Sequence, residues 1–176
     1  EALADAAVLP TLDLTAPPAL RPFVVEGLVS TGRTVLAVTA TAREAEDLST
    51  ALADLLPPGQ VGYYPSWETL PHERLSPRSD TVGLRLAVLR RLCHPEDAGP
   101  LRVVVAPVRS VLQPQVRGLG DLEPVVLGAG DQASLEQVIA GLAAAAYTRV
   151  DLVEKRGEFA VRGGIVDVFP PTEEHP

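Results

Sequence analysis

Residues 27–34 read GLVSTGRT, one residue short of G-x-x-x-x-G-K-[ST]. In that pattern a glycine-rich turn cradles phosphates with backbone N–H groups and a lysine reaches their oxygens. Arg33 stands in the lysine position. A planar guanidinium cannot replace a compact ammonium in a tight loop without rebuilding it. The loop also works only when it follows a strand and opens a helix, so that the helix dipole points at the phosphates. Here Leu20, Phe23, Val24 and Leu28 recur at helical spacing before Gly32, and the β-branched run 34–39 comes after it. The order is inverted. Gly32 reads as a helix stop that takes the left-handed conformation without a Cβ penalty, with Arg33 turned to solvent.

Other reactive residues are sparse. Glu68, His72, Glu73 and Arg74 fall together in SWETLPHERLSP, and two carboxylates with a histidine could bind a metal or move protons. The plainer reading is a surface loop pinned by Trp67 and Leu70, its charges in water. His94 and His175 each precede a proline. Cys93 and His94 are neighbours at a helix end, where successive side chains point about 100° apart, which disfavours a thiol–imidazole pair. There is no G-x-S-x-G elbow, no zinc-ligand spacing and no G-x-G-x-x-G. The expectation is therefore no catalytic residue, no metal and no cofactor in this segment.

The elements that would carry these residues follow a clear rhythm. A helix is predicted over 19–31, a buried strand over 34–39, and a helix over 42–56 opened by a Thr41/Glu44 capping box. That helix should bury Ala45, Leu48, Leu52 and Leu55. A strand over 61–64, an irregular stretch over 65–79, a helix from Asp80 as cap to residue 92, and a strand over 101–106 come next. Val82, Leu86 and Leu89 should form the buried face of that third helix. Alternating helix and strand is the pattern of a parallel α/β sheet. From about residue 119 the rhythm changes to one alanine-rich helix, opened by Ser134 with Gln137 and running to 146, then short strands over 149–153, 158–162 and 165–169. The reading is an α/β domain over 1–118 and a small α+β domain over 119–176 that looks truncated at Pro176.

Composition narrows the function classes. The net charge of −8 argues against a nucleic-acid clamp, which needs clustered cations to release counterions. One cysteine suits a reducing, cytoplasmic setting, and no stretch is long and apolar enough to span a bilayer, so no membrane partner is expected. A start at Glu1 with no methionine reads as part of a longer chain.

Two blocks are more specific than these motifs. YYPSWETLPHERLSPRSDTVGLRLAVLRRL (63–92) and RGEFAVRGGIVDVFP (156–170) resemble the amino-terminal region of the bacterial transcription-repair coupling factors. That region is in turn similar to the excision-repair protein UvrB without its ATPase competence. The resemblance implies a helicase-like, RecA-like parallel sheet with a degenerate nucleotide site, followed by a domain that docks UvrA. It also implies that the 65–79 connection is too short for the aromatic DNA-engaging hairpin of UvrB. The implied parent is an ATP-dependent DNA translocase that uses ATP and Mg in a separate motor to displace stalled RNA polymerase on duplex DNA. The UvrB docking pattern, similar to Y-x-R-…-R-G-x-F-R-V-R-G, matches YTRVDLVEKRGEFAVRGG. It places Arg149 and Arg162 at the outer positions, with Ala160 where UvrB has the middle arginine. By strand alternation Arg162 and Ala160 share one face, and Phe159 and Val161 the other; an ion pair of Arg162 with Glu158 or Asp167 is the competing reading. The alternatives to a docking module are an ATP-binding UvrB-like repair enzyme and a DNA-binding domain.

Overall fold

The run VVVAP at Val103–Pro107 is buried at every position, as a strand with no polar face must be when both sides of its sheet are covered. This strand, β3, is central. In the computed structural model, which describes residues 11–69, 77–171 and 173, it pairs in parallel with β1 (Val35–Thr39) and β2 (Val61–Tyr63), in the order β1-β3-β2. Val35 and Val61 both lie opposite Val103.

Helices cover both faces. On one side α1 (Arg21–Val29) and α2 (Ala42–Leu55) close over Val103 and Val105, with Ala45 and Leu52 at the centre and Val25, Val29 and Leu48 around them. On the other, α3 (Ser79–Cys93) sets Val88 and Leu89 against Tyr64, Leu101, Val104 and Ala106. The one-turn helices α4 (Pro95–Ala98) and α5 (Val108–Leu112) flank β3. Parallel strands joined through helices, with apolar layers on both faces, are an α/β arrangement.

Local chemistry explains most element ends. The capping box of α2 forms: Glu44 N donates to Thr41 Oγ1 at 3.2 Å and Thr41 N to Glu44 Oε2 at 3.2 Å. The first helix is shorter than the pattern suggests. Residues 18–20 form a 3-10 turn, and Ser30 and Thr31 leave α1 by donating their hydroxyls to the Gly27 and Leu28 carbonyls, each at 2.7 Å. Gly32 then takes φ +87°, as its helix-stop role requires.

Two expectations about burial fail, each for its own reason. Leu55 is 41% exposed, as the last residue of α2. In α3 the buried positions are Thr81, Gly83, Arg85 and Val88, whereas Val82, Leu86 and Leu89 are only half-buried. This helix is covered on more than one side: by the sheet, by Pro171 against Gly83, and by the 3-10 turn Leu119–Asp121, where Gly120 lies against Leu89 and Cys93. Asp80 is not the cap. It lies inside the first turn, and Arg78 holds the N-cap position.

The second sheet has the order β4-β5-β6, from Thr148–Arg149, Glu158–Arg162 and Ile165–Phe169. β4 runs parallel and β6 antiparallel to β5. Helix α6 (Leu135–Ala144) covers one face, where Val138, Leu142 and Phe159 are buried with Val161, Val166 and Val168 packed round them. Ser134 occupies the N-cap of α6, but its side chain makes no capping bond. The strand expected over 149–153 shrinks to two residues. Glu158 draws the chain away: its Oε2 accepts the amides of Glu154 and Lys155 at 2.9 and 2.8 Å. Those bonds hold its carboxyl below the usual range, since they favour the charged form.

Helix α6 ends in a left-handed residue that is not glycine. Tyr147 N donates to Leu142 O at 3.0 Å, a six-to-one closure, with Ala146 at φ +65°. A Cβ in that conformation costs roughly 1 kcal/mol. Ala146→Gly is therefore expected to raise the unfolding free energy by about 0.5–1 kcal/mol in urea titrations; a loss of stability would contradict this account of the cap.

Candidate functional site

The near-match GLVSTGRT faces the wrong end of a helix. Its hydroxyls bond to the carbonyls that end α1, which is the negative pole of the helix dipole. Where a parallel sheet would offer phosphate donors, between β1 and the start of α2, the chain supplies its own acceptors. Thr41 and Glu44 take up each other's amides, and Glu44 also lies 3.7 Å from Arg21. A carboxylate at this helix N-terminus satisfies the dipole that a phosphate would otherwise use. The sequence TATARE at 39–44 carries this signal, visible only once β1 and α2 are placed.

The other candidates separate. His72, Glu73, Arg74, His175 and Leu70 lie outside the described residues. Glu68 accepts a hydrogen bond from Thr81 Oγ1. Trp67 does anchor its loop: its amide donates to Gln113 Oε1 at 2.7 Å, and Gln113 Nε2 returns a bond to its carbonyl at 3.2 Å. The residue that pattern reading missed is Arg85, 1% exposed. Its guanidinium carbon lies 4.1 Å from the Tyr64 ring centre and 4.2 Å from that of Trp67.

His94 turns both ring nitrogens to carboxylates, Nε2 to Asp121 at 3.1 Å and Nδ1 to Glu96 at 3.6 Å. It ties the end of α3 to the 119–121 turn and does not form a pair with Cys93. His94, Glu96 and Asp97 bring ligand atoms within 4.8 Å of one another. Asp97 is already held by Arg90 at 3.1 Å, so the cluster is accounted for by ion pairs between elements.

Arg149 and Arg162, which the resemblance puts at docking positions, sit on the second sheet. In β5 the alternation holds: Phe159 and Val161 point to α6, and Arg162 lies on the opposite face. Arg162 is 59% exposed in its side chain and Nη2 lies 3.5 Å from Asp167 Oδ2. Arg149 is exposed on the edge strand, in register with Phe159. Paired residues share a face, so Arg149 lies on the α6 side and Arg162 on the other. The register does not gather the two arginines on one face. Arg156 joins the two sheets' surroundings instead: it lies 3.4 Å from Asp80, stacks over Phe169 at 5.6 Å, and donates to the Glu173 carbonyl at 2.6 Å. Among the described residues no helix is long and apolar enough to cross a membrane.

Residues 125–176, which include α6 and the second sheet, match the UvrB interaction domain family. Over 168 residues, 94% of the chain, it is 55% identical to the transcription-repair-coupling factors of Mycobacterium bovis and Mycobacterium tuberculosis, of whose length it spans 14%. The Haemophilus influenzae transcription-repair-coupling factor is 31% identical over 76% of the chain and 11% of that protein. UvrABC system protein B of Legionella pneumophila is 29% identical over 64% of the chain and 16% of that protein. With its covered parallel sheet and its small interaction domain, the chain belongs to the transcription-repair-coupling factor family, as the amino-terminal region that resembles UvrB.

Proposed function

We propose that this chain is a non-catalytic docking module that recruits UvrA of nucleotide excision repair. The observation that carries the reading is the match of residues 125–176 to the UvrB interaction domain, on a sheet whose outer face presents the exposed Arg162. Arginine suits this role because its fork can pair bidentately with a carboxylate and is favoured at binding hot spots. The α/β unit, residues 1–118, is a RecA-like scaffold with a degenerate nucleotide site; residues 119–176 begin the docking domain. Arg149 contributes from the β4 edge, so a partner that engages both arginines wraps round that edge. The parent protein is an ATP-dependent DNA translocase acting in the cytoplasm. Its ATP and Mg serve a motor elsewhere in the chain, and RNA polymerase and duplex DNA are contacted there.

Titration of UvrA with the wild-type chain and Arg162→Ala tests the reading. The variant is expected to bind about tenfold more weakly, or ~1.4 kcal/mol, with its thermal unfolding unchanged. Addition of ATP with Mg should leave the midpoint of unfolding where it was, because a ligand that binds only the native state must raise it. Equal UvrA affinity in the folded variant removes the docking role, and a saturable ATP-dependent shift restores the nucleotide-binding alternative.

A further inference from the structure

The arginine assigned to docking already holds a carboxylate from its own chain. Across the β5–β6 hairpin Arg162 lies opposite Ile165 and Ala160 opposite Asp167. Arg162 and Asp167 are thus diagonal neighbours on the outer face, close enough for long side chains to meet. Their contact is a single nitrogen to a single oxygen at 3.5 Å, with 59% and 47% of the two side chains exposed. A two-point charge-assisted pair is shorter, about 2.7–2.9 Å. Most of the guanidinium fork therefore remains open to solvent. Among the described residues Asp167 is the one acid that reaches it.

The pair shares a groove with Leu152 and Val153. Leu152 is 59% exposed there, and Ile165 on the hairpin is 65% exposed. A cation beside uncovered apolar side chains fits a partner segment that carries a carboxylate next to an apolar residue. We infer that Asp167 is an intrachain placeholder. It keeps the Arg162 guanidinium on the outer face of the sheet when UvrA is absent, competes with a UvrA carboxylate for it, and gives way on docking to a two-point pair. This rests on the docking reading above. The weakness of the resident contact is what makes exchange feasible: exposed one-point pairs contribute little, whereas a desolvated bidentate pair at an interface contributes more.

The test is a set of UvrA titrations with the full chain at one salt concentration, using Asp167→Asn, Arg162→Ala and the double variant. Asp167→Asn is expected to tighten binding by about threefold, the scale of an exposed pair that no longer competes. Asp167→Ser should do the same, which guards against an effect peculiar to the amide. In the Arg162→Ala background neither change should matter, since the competitor has nothing left to occupy. If Arg162→Ala weakens binding but both Asp167 variants leave it unchanged or weaker, the placeholder is overturned and docking through Arg162 stands. If Arg162→Ala has no effect, the docking reading falls and the placeholder falls with it.

Discussion

Replacing Arg85 by alanine should lower the unfolding free energy by about 3 kcal/mol and shift the emission of Trp67, the single tryptophan, to the red. The side chain fills the space between two aromatic rings, and burial pushes its pKa down from the ordinary arginine value. Nη2 donates to the Tyr64 hydroxyl at 2.8 Å and Nη1 to the Pro65 carbonyl, while Nε is buried with no partner among the described residues. Truncation removes both donors, leaves a cavity, and strips each ring of a cation facing it, a contact worth about 1 kcal/mol or more when desolvated. Against this, it relieves the cost of burying a charge that no carboxylate among the described residues neutralises. Arg85→Met separates the terms because it refills most of the volume and carries no charge. It should cost about 1 kcal/mol or less. Urea titrations followed by Trp67 fluorescence measure both variants. Alanine as mild as methionine would mean that packing between Tyr64 and Trp67 does not hold this loop.

Gly83→Ala should also destabilise, by about 1–2 kcal/mol, although alanine favours a helix by about 1 kcal/mol over glycine. A Cβ at this position of α3 would run into the Pro171 ring, and the Pro171 backbone carbons lie 3.4 and 3.5 Å from it. Backbone cannot move aside as the end of a flexible side chain can, so overpacking outweighs propensity. The same seam carries the Arg156–Asp80 ion pair at 3.4 Å, so the strain reaches the surroundings of the second sheet. Pro171→Gly in the same chain should return part of the loss, a coupling expected of residues in contact. If Gly83→Ala stabilises the protein, the close approach of Pro171 to α3 is not a constraint in solution.

Local rules explain why some features were readable from sequence and others were not. The capping box at Thr41 and Glu44 depends on residues three apart and a helix between them, so the sequence suffices. The same spacing at Ser134 and Gln137 gave a helix start without the side-chain bond, because a cap rotamer answers to its surroundings as well as to its neighbours. The buried run of β3 told of a strand covered on both faces. That the near-match at 27–34 follows a helix and leads into a strand was readable because the order of elements around it is itself a local property. The β1–α2 junction, 39–44, holds no glycine, so nothing in the sequence draws attention to it.

Sequence by itself determined the family, the order of elements, and the face of β5 that carries Arg162, since alternation along a strand is fixed by the pleat. Tertiary structure decided what each side chain meets. It turned α3 so that an arginine is buried where leucines were expected, because three neighbours cover that helix and periodicity records only one direction. It set Arg149 and Arg162 on opposite faces through the register of β4 on β5. And it gave Arg162 a carboxylate partner across the hairpin. Periodicity fixes a side chain's direction from its own backbone, but the group at the other end is chosen by register and packing between elements that no single stretch encodes.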